Sequence, residues 1–236
     1  RRIVSGHVLE ARSDGGVLRR VPHANRIECR GVALGERRNG VRGNADIGKF
    51  QDGSPLATWL DAAGYWTSFI GKYLNGYRQL SPYIPPGWDD WEALVEAGYY
   101  NYDLNDNGTV VHYGNAAADY STDVLRDRAV AEISAAPRPF FMVLAPFAPH
   151  GAGAWPRGPL VAPRHQNTCG WLAPYRPPSF NEADVSDKPS FIQALPLLDP
   201  AQVDAFRRDQ LCALKAAYLF VQNQPDVDRV VMSVSP

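Results

Sequence analysis

The sequence is short of several things, and each shortage excludes a class of protein. No apolar run in the 236 residues approaches the roughly 18 that a membrane span needs, so no membrane partner is expected. Net charge is −1, which removes the electrostatic case for a nucleic-acid binder. Only three cysteines are present, Cys29, Cys169 and Cys212. They lack metal-ligand spacing and are odd in number. Three reduced or unpaired thiols are the favoured expectation, with a Cys169–Cys212 bridge as the alternative. The chain opens on Arg1-Arg2 with no apolar signal core, so no export signal is expected. Compartment and oligomeric state stay open.

A second shortage is local. Residues 1–42 contain no aromatic ring and no lysine; they hold ten arginines against four acids, a net charge of +6. The remaining residues carry fourteen lysines and arginines against twenty-one acids, and all 26 aromatic residues lie from Phe50 onward. Packed domains draw heavily on aromatic side chains for core energy. The chain therefore divides into an atypical Arg-rich segment, 1–42, and a domain, 43–236. The segment reads as a disordered arm, as a binder of polyanions such as sulfated glycans, or as an out-of-frame product of GC-rich sequence, the last being favoured.

What is present reads as alternating helix and strand. Ser54-Pro55 opens a helix through Ala63, with Ser54 as the expected N-cap and Gly64 as its stop. Trp66–Ile70 is a strand that ends at Gly71-Lys72. Asp89 or Asp90 is expected to cap a short helix through Leu94. Tyr99–Leu104 and Thr109–Tyr113 flank Asn105–Gly108 as a hairpin. Residues 120–135 form a helix with Val124, Leu125, Ala129, Val130 and Ile133 on one face. Phe140–Ala145 is a buried strand ending at Pro146-Phe147-Ala148-Pro149-His150. Residues 151–200 are rich in Gly and Pro and read as loop. Residues 201–221 are helical, with Val203, Phe206, Leu211, Leu214 and Leu219 expected inside. The order implies a layered α/β fold.

Lys72 and His150 stand out because each follows a buried strand, where α/β folds place their sites. A lysine beside small residues approaches an anion as a point charge. A histidine on a proline-stiffened loop can give up a proton, and Gly151 after it is expected to leave room for a ligand. Other candidates have plainer readings. Asp103, Asn105, Asn107 and Gly108 partly match a calcium loop, but Gly114 stands where that loop needs Glu, so turn chemistry is expected. His112 reads as structural, and His165 lies in a loop that can touch substrate. His7 and His23 fall in the Arg-rich segment.

Several strings, taken in order, resemble the sulfatase family, in particular its N-acetylglucosamine-6-sulfatase-like branch. They are Gly40–Asn44, Leu56–Tyr65, Phe69–Asn75, Tyr99–Tyr102 with Gly108, Ala118–Asp123, Phe140–Val143 through Ala148–Gly151, and Pro177–Glu182. The resemblance covers about residues 40–215, and the order of the blocks carries it. It implies an alkaline-phosphatase-like mixed sheet flanked by helices, here a partial domain. It also implies hydrolysis of sulfuric esters by a formylglycine beside a calcium ion, with a sulfate ester or sulfated sugar as partner. By the same resemblance Lys72 and His150 are catalytic and bind the sulfate, with Asn75 and His165 as further substrate-binding candidates.

The departures fall on the nucleophile and the metal. The family's Cys-x-Pro-Ser-Arg string is absent, and Cys29-Arg30-Gly31-Val32-Ala33 does not replace it. The acidic pair expected after the first strand and the downstream Asp-Asn pair are absent too, so no metal ligand is assigned. The expectation is a sulfatase relative incomplete at both ends and inactive as it stands. The alternatives are an active calcium-dependent sulfatase with an unrecognised nucleophile, and a glycan binder acting through its basic arm. An incomplete central sheet also predicts association through unpaired strand edges.

Overall fold

The computed structural model describes Ile47, residues 50–222 and residues 231–232. The Arg-rich segment, with Cys29, His7 and His23, lies outside the described residues. The elements are α1 (Leu56–Ala62), β1 (Trp66–Lys72), β2 (Asp90–Leu94), β3 (Tyr102–Asp106), β4 (Thr109–Tyr113), α2 (Ser121–Ala135), β5 (Phe140–Ala145), α3 (Ser190–Gln193), α4 (Pro200–Gln222) and β6 (Val231–Met232).

The strands form one mixed sheet in the order β4-β3-β2-β1-β5-β6. β1 runs parallel to β2 and β5, β5 runs parallel to β6, and β3 and β4 are antiparallel additions at one side. This is the α/β sheet with flanking helices that the helix–strand alternation predicts. Residues Val231 and Met232, at the tail of the sequence, pair with Val143 and Leu144 of β5.

The hairpin follows from its turn. Asn107 at φ 48° and Gly108 at φ 90° occupy the left-handed pair that a two-residue hairpin turn requires. The Gly108 N–H donates to Asn105 Oδ1 at 2.8 Å, and Asn107 Oδ1 accepts the Trp91 N–H at 2.8 Å. These side chains serve the turn, as expected. The strands run closer to the turn than the sequence suggests, since Asn105 and Asp106 belong to β3.

The sheet has a core on each face, and alternation assigns the residues. Ile70, Leu94, Leu104 and Leu144 pack with Tyr120, Leu125, Ala129 and Ile133 around α2. Phe69, Trp91, Ala93 and Ala145 turn to the opposite face with Tyr77 and Ile47. There the Phe69 and Trp91 rings stack at 4.7 Å, with Tyr73 edge-on to Trp91 at 5.0 Å.

Five expectations need correction. Asp90–Leu94 is a strand, β2, because its residues are buried between β1 and β3 and a helix there would leave each of these strands without a partner on one edge. Asp89 caps nothing; its carboxylate accepts the Thr67 N–H at 2.8 Å. Ser54 is not the N-cap of α1, since Pro55 takes that position and Ser54 Oγ accepts the Trp59 indole N–H at 2.8 Å. Val130 of α2 is exposed, while Leu125, Ala129 and Ile133 carry the buried face. The first four residues of β5 are half-buried, with only Leu144 and Ala145 fully enclosed.

Two further corrections concern α4 and the thiols. Val203, Phe206, Leu211 and Leu214 are half-buried, and the enclosed face is Cys212, Ala213, Ala216 and Ala217. Small side chains let α4 lie close against α2. Cys169 and Cys212 form a disulfide, with Cα atoms 5.9 Å apart, so the reduced-thiol expectation fails for this pair. The bridge ties the 151–190 loop region to α4. Leu219 lies where side chains are outside the described set.

Candidate functional site

Gly71 sets the geometry of the candidate site. Its φ is +128°, and a Cβ there would sit 2.1 Å from the Ala145 carbonyl oxygen. Only glycine lets the tips of β1 and β5 close to this distance. Lys72 is the last residue of β1, and the segment leading to His150 leaves the end of β5, the parallel neighbour on which Gly71 aligns with Ala145. Lys72 and His150 therefore belong to the same, C-terminal end of adjacent strands.

Lys72 is held in place. Its ammonium donates to Asn75 Oδ1 at 2.7 Å and to the Tyr73 carbonyl at 3.3 Å. The structure so brings together two of the four residues that the sequence proposes for binding. Asn75 presents its carbonyl oxygen to the cation, which leaves its amide N–H groups directed elsewhere.

His150 is half-buried and oriented on three sides. Its ring stacks on Phe147 at 4.9 Å. Its backbone carbonyl accepts the Tyr99 hydroxyl at 2.7 Å, and its N–H closes a turn onto the Phe147 carbonyl at 2.9 Å. Nδ1 lies 2.8 Å from the Gly151 carbonyl oxygen. A carbonyl only accepts, so Nδ1 carries a proton, and Nε2 is the ring nitrogen left for another partner. Tyr99 also stacks on Tyr120 at 5.7 Å, which connects this loop to the start of α2. Burial pushes the Tyr120 hydroxyl up to about 12, so it stays protonated and donates to the Leu160 carbonyl at 2.9 Å.

The space expected beside Gly151 is taken by the protein itself. A Cβ at Gly151 would meet the Arg157 carbonyl oxygen at 2.9 Å and Phe206 Cε2 at 3.7 Å. The glycine is needed because the 151–158 loop folds back onto it.

His165 lies beside the first turn of α2. It closes a 3-10 turn, Pro163–His165, whose Arg164 makes a two-pronged ion pair with Asp123 in the first turn of α2. Its Nε2 is buried without a hydrogen-bond partner. Burial, with Arg164 and Lys215 nearby, holds the imidazole below its usual range and favours the neutral ring. His112 pairs with Asp103 across the hairpin at 2.8 Å, a structural contact as expected.

Sequence reading passes over one polar group, Glu92 with Asp90, Asp106 and Arg128. Arg128 donates to Glu92 Oε1 and to Asp106 Oδ2, both at 2.9 Å. Glu92 Oε2 is buried without a partner, and burial pushes the carboxyl up to about 7. Its signal was masked because the acidic pair Asp89-Asp90 at an apparent helix start reads as capping.

Among the described residues, no group of three or more His, Cys, Asp or Glu side chains is arranged to hold a metal ion. The residues described do not fit the calcium that the resemblance implies. No described helix is long and apolar enough to cross a membrane.

Comparison with known proteins gives the lineage. The chain is 33% identical over 178 residues to the Sulf-1 homologue of Caenorhabditis elegans, named as an extracellular sulfatase, covering 72% of this chain and 22% of that protein. It is 37% identical over 172 residues to an arylsulfatase of Volvox carteri, covering 62% and 26%. It is 38% identical over 120 residues to the human N-acetylglucosamine-6-sulfatase, covering 44% and 21%. The chain thus spans about a fifth to a quarter of the length of these curated relatives. A solved structure holding its substrate D-glucosamine-2-N,6-O-disulfate is 26% identical, covering 60% of this chain and 26% of that one, with a TM-score of 0.45. The sulfatase family model matches residues 33–190, more than half of the sequence, and this chain belongs to the sulfatase family.

Proposed function

We propose that the Lys72 and His150 end of the sheet is an anion pocket for the sulfate ester of a sulfated sugar, and that this chain binds such an ester without hydrolysing it. The observation that supports the reading is the closure of β1 on β5 at Gly71 and Ala145, since Lys72 and the segment leading to His150 leave these adjacent strand ends. Relatives named N-acetylglucosamine-6-sulfatase support a 6-sulfated hexosamine as the ligand class.

The chemistry fits each residue. Sulfate presents three non-bridging oxygens that share a negative charge, and the Lys72 ammonium, positioned by Asn75 Oδ1, can approach one as a point charge. Nδ1 of His150 is spent on the Gly151 carbonyl, which leaves Nε2 as the ring nitrogen for a ligand. An Nε2–H there can donate to an oxygen of the bound sulfate ester. An attacking group is the missing part. No cysteine or serine in the 236 residues lies in a Cys-x-Pro-Ser-Arg-like string, and binding contacts alone leave only residual catalysis.

The test has two arms. Glucosamine-6-sulfate is titrated into the full chain and into Lys72→Ala and His150→Ala variants, with heteronuclear NMR reporting fold and binding together. Saturable binding that weakens at least about tenfold in Lys72→Ala is expected, the loss of one charge-assisted contact. Unchanged binding in both variants refutes the pocket. In the second arm a chromogenic aryl sulfate is incubated with added calcium, and the protein mass is checked for formylglycine. Turnover that disappears in Lys72→Ala would refute the non-hydrolytic half and establish an active sulfatase.

A further inference from the structure

The loop that fills the space beside Gly151 has a second feature. Residues 151–158 leave directly from His150 and fold back, with the Ala152 N–H donating to the Gly158 carbonyl at 3.1 Å and the Arg157 N–H to the Ala154 carbonyl at 3.0 Å. That closed loop carries Trp155 at its tip. The indole is 50% exposed and packs on Phe206 of α4 at 5.1 Å between ring centroids. A Cβ at Gly151 would meet Phe206 Cε2 at 3.7 Å, so Phe206 backs the loop at the residue that follows His150. Arg157 is exposed on the same loop, its side chain laid over Gly153.

From this arrangement we infer a second sugar-binding subsite, with Trp155, backed by Phe206, as the stacking platform for a pyranose and Arg157 as the cation for that residue's sulfate or carboxylate. It rests on the anion pocket proposed above and extends it: the ligand is an oligosaccharide whose neighbouring unit lies on the 151–158 loop. A pyranose offers a face of polarised C–H groups, which an indole face attracts by dispersion and by its negative π surface. A guanidinium presents paired N–H donors in a plane that matches sulfate or carboxylate oxygens, more specifically than an ammonium does. The platform is rigid at its base, because Phe206 sits on a helix and Gly151 is packed beneath the Arg157 carbonyl. Asp209 packs at the loop's base against Gly158.

The experiment compares two ligands on three proteins at physiological salt. Glucosamine-6-sulfate and a heparin-derived tetrasaccharide are titrated calorimetrically into the full chain, Trp155→Ala and Arg157→Gln, with thermal unfolding as the check on fold. Trp155→Ala is expected to weaken the tetrasaccharide about 5- to 10-fold, the range of a lost exposed stacking or cation contact, and to leave the monosaccharide within about twofold. Trp155→Phe should restore most of the difference. The basic segment 1–42 is present in every variant, so its contribution cancels. Equal tetrasaccharide affinity in the parent, Trp155→Ala and Arg157→Gln overturns the subsite while the pocket stands. A parent chain that binds neither ligand overturns the pocket and this inference with it.

Discussion

Glu92→Gln should change the pH dependence of stability. Glu92 sits in the middle of the sheet on β2, half enclosed by α2, with Oε1 on Arg128 and Oε2 on nothing. Burial raises its carboxyl from 4.5 to about 7, against the opposing pull of Arg128 and with the help of Asp90. The folded chain thus holds this proton more tightly than the unfolded chain does. Stability drawn from it is fully present below pH 4.5 and is lost as the pH rises through 7. The full shift corresponds to at most about 3 kcal/mol; allowing for water at the group's open edge, about 2 kcal/mol falls between pH 5 and pH 8.

Glutamine keeps the Arg128 contact and cannot ionise. Parent and variant should therefore have similar stability at pH 5, and Glu92→Gln should be more stable by about 2 kcal/mol at pH 8. Urea titrations followed by far-UV circular dichroism at both pH values measure this. Comparing the two proteins at each pH cancels every other titrating group. A parent–variant difference that is the same at pH 5 and pH 8 refutes the reasoning.

Three further outcomes follow from named contacts. Gly71→Ala must push a Cβ into the Ala145 carbonyl, so a loss of more than about 3 kcal/mol is expected, and a melting temperature equal to the parent's would contradict the tight approach of β1 and β5. Reducing the Cys169–Cys212 bridge, or replacing Cys212 by Ser, frees a loop with a sequence separation of 43. The expected loss is about 4 kcal/mol by loop-closure entropy, read as a shifted urea midpoint with and without reductant. Leu125→Ala empties a fully buried site on α2 and should cost about 2–5 kcal/mol in the same titration, whereas Val130→Ala, on the exposed side, should stay within about 0.5 kcal/mol.

The amino-acid order determined whatever depends on neighbours along the chain. Asn107-Gly108 makes the hairpin because only such a pair takes two positive φ values cheaply, and Gly64 and Pro137 bound their helices for equally local reasons. The placement of Lys72 and His150 at strand ends was legible too, since a strand's end is marked by its own glycine or proline. Tertiary structure alone decided the rest. Asp90–Leu94 reads as a capped helix until β1 offers a parallel partner and Trp91 a stack of rings to join. Cys169 and Cys212 become a bridge only when α4 brings their Cα atoms to 5.9 Å. The enclosed face of α4 is its alanines, because the approach of α2 rewards small side chains over large ones. Gly151 looked like room for a ligand, and the returning loop occupies it. Each of these turns on contacts between distant residues, whose energies no local window contains.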